Sequence, residues 1–204
     1  MRKLKLIGRR LGFAVVASIL FGLLSYYQWS LLDEVTPFGL VFIWIPVGAF
    51  FFLSVISSLT CFTLFKKIKL IVLIPLAINA LAYFIPYTRM WVSADFAKHK
   101  YERDTIVTAV EQGRLTPNVD EDDQLIVLDD SYPVVSTGGN EIVVEEHDGK
   151  KYILFFTFRG LLDNYTGFLH VPAGGNPAVF WNLKDTQSSQ IVPFGENWYW
   201  TSHH

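Results

Sequence analysis

The chain has 204 residues, of which 51% are hydrophobic and 18% are charged, and its formal net charge is −2. This charged fraction is below the roughly 25% of ordinary soluble domains. Together with a mean hydropathy of +0.30, it favours a membrane protein. A free cytosolic enzyme, a disordered tail and a disulfide-built secreted module all fit this composition poorly.

Charge is divided unevenly along the chain. Residues 1–89 contain nine Lys and Arg against two Asp and Glu, a net charge of +7. Residues 90–204 contain eight against seventeen, a net charge of −9. The division predicts a membrane region over residues 1–89 and a separate domain over residues 90–204. The negative charge of the second part argues against nucleic-acid binding.

Three stretches without charged residues interrupt the first part. They contain 22 residues (11–32), 31 residues (35–65) and 19 residues (70–88). A helix needs about 20 apolar residues to cross a hydrocarbon core about 30 Å thick. The sequence therefore predicts three transmembrane helices, near residues 11–32, 38–65 and 70–88. None of them contains an ionisable residue of the kind that proton and ion pathways use, so we expect an anchor or an assembly surface.

The positive charges predict an orientation, because Lys and Arg accumulate in cytoplasmic loops. Basic residues precede the first span and follow the second, namely Arg2, Lys3, Lys5, Arg9, Arg10, Lys66, Lys67 and Lys69. The loop between the first two spans carries Asp33 and Glu34 instead. We expect a cytoplasmic N-terminus and an extracytoplasmic C-terminal domain, in a bacterial cytoplasmic membrane. The first span exceeds the apolar run of a signal peptide, about 7–15 residues, and is expected to be a retained anchor.

Small residues form two stripes in the predicted spans. Ala14, Ser18 and Gly22 recur every four residues in the first span, and Ser54 and Ser58 do so in the second. Small residues let helices approach closely in lipid. We expect the two faces to pack within the chain, with a partner helix as the alternative.

The third predicted span contains residues that disfavour a lone helix in lipid. Pro75 lacks the backbone donor of a helix interior and should kink it. Asn79 is costly against lipid unless a neighbouring helix bonds it. A helix over residues 93–113 follows, and it either continues the third span or is separated from it near Pro86.

Residues 90–204 have the pattern of an α+β domain. After the predicted helix come seven strand-like segments, at residues 124–128, 141–147, 151–158, 167–171, 178–183, 190–194 and 197–201. Asp148-Gly149, between the second and third segments, is typical of a β-hairpin. The predicted fold is one helix packed on a mainly antiparallel sheet of five to seven strands.

One segment of this domain has the pattern of a catalytic site. An apolar strand over residues 155–158 runs into Arg159, and Asp163 and His170 follow. Polar residues at the end of a buried strand are rigidly placed, so Asp163 and His170 are a candidate acid–base pair with Arg159 beside them. The competing interpretation is an Asx-type turn at Asp163 that an Arg–Asp pair stabilises.

An acidic loop has part of the pattern of a calcium site. Asn118, Asp120 and Asp122 match the first three oxygen ligands, and Asp129 falls at the twelfth position. Position six is Asp123 where a Gly is required, and the last ligand is normally Glu. A solvated acidic loop is the competing interpretation. No cofactor is predicted.

These features predict a non-enzymatic integral membrane protein whose acidic extracytoplasmic domain binds another protein, in an envelope accessory, sensing or protective role. Its expected partners are the lipid bilayer and one protein, without nucleic acid. One alternative is a membrane-tethered hydrolase that uses Asp163 and His170. A second alternative is an accessory subunit of a transporter.

Overall fold

The chain forms two compact units, Met1–Trp91 and Val92–His204. A computed structural model describes residues 2–34, 37–64, 69–120, 122–160, 164–180, 183 and 189–203. The first unit is helical, and the second contains a sheet with most of one helix.

The helices of the first unit are α1 (Arg2–Glu34), α2 (Pro37–Leu64) and α3 (Lys69–Phe84), each packed against the other two. By length and composition, two stretches can cross a membrane: Gly8–Leu31 in α1 and Gly39–Thr60 in α2. Among the residues that the structure describes, two helices therefore meet this criterion, where the sequence predicted three.

The third helix ends earlier than predicted. It has 16 residues, which at 1.5 Å per residue is about 24 Å. Two residues, Ile85 and Pro86, separate it from helix α4 (Tyr87–Glu111). Pro86 explains the break, because proline lacks a backbone N–H and disfavours helical geometry at the preceding residue. Of the two alternatives that the sequence left open, the structure shows separation near Pro86.

The first unit buries small and polar side chains between its helices. Ala14 and Ala17 are fully buried, together with Ser18, Ser54 and Asn79. Large apolar side chains point outward instead: the exposed fractions are 75% for Phe42, 68% for Phe52, 68% for Leu81 and 78% for Phe84. Some large side chains, among them Leu24, Leu40 and Phe51, do lie inside.

The second unit contains the predicted antiparallel sheet. Its six strands are β1 (Leu125–Val127), β2 (Glu141–His147), β3 (Lys150–Arg159), β4 (Tyr165–His170), β5 (Ser189–Gly195) and β6 (Trp198–His203). Their spatial order is β1-β2-β3-β4-β6-β5, with every neighbouring pair antiparallel. A tight turn over Thr137–Asn140 precedes β2, and Gly138 and Gly139 in it have positive φ angles of 77° and 94°.

Two turns of this unit show how local residues set the chain direction. Asp148 and Gly149 have positive φ angles of 52° and 69°, as a two-residue hairpin turn requires, so the predicted hairpin is confirmed. The segment predicted as a strand from residue 178 begins instead with a 3₁₀ helix, Pro177–Val179. Asn176 accepts a hydrogen bond from the Ala178 N–H, and Pro177 supplies the fixed φ of a first helical position.

Both faces of the sheet are apolar and covered. On one face, the Phe96 ring of α4 lies 4.9 Å from Phe168, 4.9 Å from Phe194 and 5.5 Å from Trp198. On the other face, Phe180 and Leu183 pack with side chains of β2, β3 and β4. This two-sided burial explains why β3 reads as an almost continuous apolar run.

Candidate functional site

Two of the three predicted catalytic residues, Arg159 and His170, lie far apart in the structure. Arg159 lies opposite Tyr165 at one end of the β3–β4 hairpin, whereas His170 lies opposite Ile153. Those positions are six residues apart along β3, or roughly 20 Å. Arg159 forms an ion pair with Glu141 of β2. Asp163 lies outside the described residues.

His170 is placed in the apolar layer between helix and sheet. Its ring centroid lies 5.1 Å from that of Trp198. Burial lowers the pKa of His170, and nearby Lys100 lowers it further, against the opposing influence of Glu111 and Asp104. The neutral imidazole is therefore favoured in the folded chain.

The candidate calcium ligands are engaged in local turns or exposed. The Asn118 side chain donates to the Val127 carbonyl at 2.9 Å and accepts from the Val127 N–H at 2.8 Å, which pairs it with the outer edge of β1. Asp122 accepts from the Gln124 N–H, and Asp129 accepts from the Ser131 N–H and hydroxyl, which lower the pKa of Asp129. Asp120 is exposed.

The described part of the chain contains no group of three or more His, Cys, Asp or Glu placed to hold a metal ion. Each of the turns above uses a side-chain oxygen that a calcium ion would need. Asn118 therefore supports the edge of β1, and Asp122 and Asp129 support local turns.

A cavity of about 430 Å³ lies in the second unit, beside the C-terminal end of α4. Val110, Ile126 and Val144 give it an apolar part, and its charged residues include Asp123, Glu145, Glu146 and Lys151. The Lys151 ammonium donates to the Val110 carbonyl at 2.7 Å. Carbonyls at a helix C-terminus carry partial negative charge and lack helical partners, which explains this contact.

This cavity is absent from the sequence prediction, because its residues come from four separate segments. The pairing of β1 with β2 brings residues 123–126 beside residues 144–146. The acidic run at 120–123 and the pair Glu145-Glu146 were visible in the sequence. Their spacing in the sequence does not show that these two acidic segments are neighbours, because that depends on the register of the sheet.

A buried ion pair in α4 was also missed. Arg103 is 2% exposed, and its guanidinium donates to Asp95 at 2.7 Å and to the Val135 carbonyl at 2.9 and 3.2 Å. Burial lowers the pKa of Arg103, and the Asp95 carboxylate opposes that shift. The contact fixes the loop before β2 against α4, so its role is structural.

The first unit has a polar centre that joins three helices. Ser18 of α1 donates to the Asn79 side-chain oxygen at 2.9 Å, and the Asn79 amide nitrogen donates to Ser54 of α2 at 3.1 Å. Ser58 donates to the Ser54 carbonyl at 2.9 Å. The small-residue faces therefore pack within the chain, as the sequence predicted, and Asn79 has the bonded neighbours that it requires.

A serine–histidine contact lies at the opposite edge of the sheet. Ser189 Oγ and His203 Nδ1 are 2.9 Å apart, and Tyr165 stacks on the His203 ring at 5.9 Å. Such a contact is one component of nucleophile activation. Here Ser189 and His203 are direct partners in the β5–β6 register, so strand pairing alone accounts for their proximity.

The cavity is open to a ligand. The polar groups around Asn79 and Arg103 are buried, whereas Asp123 and Glu146 at the cavity are exposed. Comparison with models of protein families, with curated proteins and with solved structures finds no match to the chain.

Proposed function

We propose that the chain is a non-enzymatic integral membrane protein that presents its acidic second unit to a protein partner outside the cytoplasm. The observation that carries the anchoring part is the side-chain distribution of the first unit. Only 33% of the apolar stretch of α1 and 17% of that of α2 is buried. Helices in the core of a soluble protein would bury most of this surface, whereas lipid covers it in a membrane.

A third crossing by α3 is part of this proposal. Asn79 lies inside the three-helix bundle, whereas Leu81 and Phe84 point outward as they would toward lipid. A helix of about 24 Å is shorter than the usual hydrocarbon core, and a bilayer accommodates such a mismatch by thinning locally.

The two ends of the bundle support the proposed orientation. Basic residues cluster at the N-terminus of α1 and between α2 and α3. Aromatic residues lie at the other end, where the Trp29 and Trp91 rings are 6.4 Å apart and the Trp91 indole donates to Ser30 at 3.2 Å. Tryptophan and tyrosine concentrate at membrane interfaces, and Lys and Arg concentrate on the cytoplasmic side.

The interaction role is supported by charge. Residues 90–204 carry a net charge of −9, which repels nucleic acid and anionic lipid headgroups and attracts basic protein surfaces. Exposed side chains beside this charge include Tyr101, at 80%, and Val134, at 72%. A charged surface with isolated apolar anchors suits a transient protein contact.

The test uses a tag at the C-terminus. External protease applied to spheroplasts first shows on which side of the membrane the tag lies, and proximity labelling from the tag in intact cells then identifies neighbouring proteins. We expect protease to reach the tag and labelling to find one dominant partner. A protected tag would overturn the extracytoplasmic placement. An accessible tag without an enriched partner would overturn the interaction role. The same tag at the N-terminus is the matched control, and it should be protected.

A further inference from the structure

We propose that the cavity beside the C-terminal end of α4 receives a lysine or arginine side chain of the protein partner. This inference rests on the proposed interaction function and specifies the chemistry of the contact. Its volume of about 430 Å³ lies in the roughly 300–1,000 Å³ range of ligand pockets.

The apolar part of the cavity suits the stem of a basic side chain. Val110, Ile126 and Val144 come from α4, β1 and β2. Lys and Arg bury their methylene stems on apolar surface while the charged head stays near water or an acceptor. A short acidic or neutral polar side chain would leave this surface uncovered.

The charged part supplies acceptors for the head group. Asp123 and Glu146 are exposed, and neither forms an ion pair with another described residue. Glu145 is already paired, since its carboxylate lies 3.0 Å from His147 Nε2. Two carboxylates at the cavity are therefore available to an incoming cation.

Lys151 shows how the cavity accommodates an ammonium group. Lys151 lies directly across from Glu146 in the β2–β3 register. Its ammonium nevertheless reaches the Val110 carbonyl at 2.7 Å, at the negative end of the α4 dipole. A second basic side chain in the cavity would be attracted by the same negative end of the α4 dipole and by the carboxylates that Lys151 leaves unpaired.

The test measures binding of fluorescein-labelled tetralysine to the full chain in nanodiscs of neutral lipid at 0.15 M salt. We expect Asp123→Asn and Glu146→Gln each to raise Kd about 2- to 5-fold, the range for an exposed ion pair. Glu196→Gln is the matched control, because Glu196 is an exposed carboxylate in the β5–β6 turn, at the opposite edge of the sheet. Because Glu196 lies away from the cavity, Glu196→Gln should change the Kd of tetralysine by less than about 2-fold.

Lys151→Met gives a result of opposite sign. Removing the Lys151 ammonium leaves the Val110 carbonyl without its donor and removes one positive charge that repels tetralysine. Tetralysine should therefore bind more tightly. A damaged fold would not produce tighter binding. The proposed pocket would be overturned if Glu196→Gln weakened tetralysine binding as much as Asp123→Asn and Glu146→Gln do. It would also be overturned if the chain bound tetralysine with acetylated side chains as tightly as unmodified tetralysine.

Failure of the pocket and failure of the proposed function are distinguishable. If the partner found by proximity labelling is captured equally by Glu146→Gln and the unmodified chain, the pocket is overturned and the interaction role stands. If no partner is captured while tetralysine binding depends on Asp123 and Glu146, the pocket stands and the proposed function fails.

Discussion

Two Lys/Arg–Asp pairs on α4 differ in solvent exposure. In the Arg103–Asp95 pair the side chains are 2% and 18% exposed, whereas in the Lys100–Asp104 pair they are 49% and 44% exposed. Removing one member of a buried pair leaves the other charge without compensation, at a cost of about 3–5 kcal/mol. An exposed pair between residues four apart on a helix contributes about 0.3–0.5 kcal/mol.

We therefore expect Arg103→Met to lower the free energy of unfolding by about 3–5 kcal/mol and Lys100→Met by less than about 0.5 kcal/mol. Arg103→Met also removes both donors to the Val135 carbonyl, which adds to the loss. Denaturant unfolding of the full chain, followed by tryptophan fluorescence, measures both variants. Equal losses in the two would contradict a structural role for the buried pair.

His170 gives the second unit a dependence on pH. Its pKa is lowered in the folded chain, mainly by burial, so the unfolded chain binds the proton more readily. Its neutral form is compatible with the fold above the unfolded pKa, about 6.5, and stability is lost as pH falls below that value.

We expect the free energy of unfolding to fall between pH 7.5 and pH 5.5, and His170→Gln to reduce that slope. His99, whose pKa is also lowered by burial, contributes to the slope that remains. Denaturation midpoints at the two pH values measure the effect. An unchanged slope in His170→Gln would contradict it.

At the scale of elements, one asparagine connects three helices. Asn79 of α3 bonds Ser18 of α1 and Ser54 of α2, and all three side chains are buried. We expect Asn79→Ala to lower bundle stability by about 1–2 kcal/mol, the range for interhelical hydrogen bonds in lipid. Thermal unfolding in one detergent measures it.

Thr60→Ala is the control for Asn79→Ala. The Thr60 hydroxyl bonds the Ile56 carbonyl of its own helix at 2.7 Å and faces outward. It should cost about 0.5 kcal/mol or less, the usual range for a substitution at an exposed position. Equal losses in both variants would show that Asn79 does not hold the helices together.

Local pattern predicted individual elements better than their assembly. Strand β2 has the predicted bounds, residues 141–147, because turn residues flank it on both sides. The distance between Arg159 and His170 was not predicted, since it depends on where the β3–β4 turn sets the register. The predicted strand from residue 178 was wrong because the Asn176 cap outweighs the apolar pattern that follows.

At the scale of the whole molecule, the two units are built on opposite side-chain rules. The first buries serine, alanine and asparagine and exposes large apolar residues, whereas the second buries residues such as Phe155, Phe168 and Trp198. The net charge changes from +7 over residues 1–89 to −9 over residues 90–204, close to the boundary between the two units. If the first unit is the membrane anchor that we propose, whether the short α3 crosses determines on which side the acidic unit lies.

The number of crossings can be measured with two cysteines. In a Cys61→Ser background, two separate variants each carry a single exposed thiol: Lys5→Cys in the first turns of α1, before its apolar stretch, and Ser93→Cys in α4, after α3. Three crossings put these thiols on opposite sides, so a membrane-impermeant maleimide should label position 93 in intact spheroplasts and position 5 only after permeabilisation. Two crossings would put both thiols on one side, with identical labelling. That result would remove α3 from the proposed anchor and place the acidic unit with the basic N-terminus.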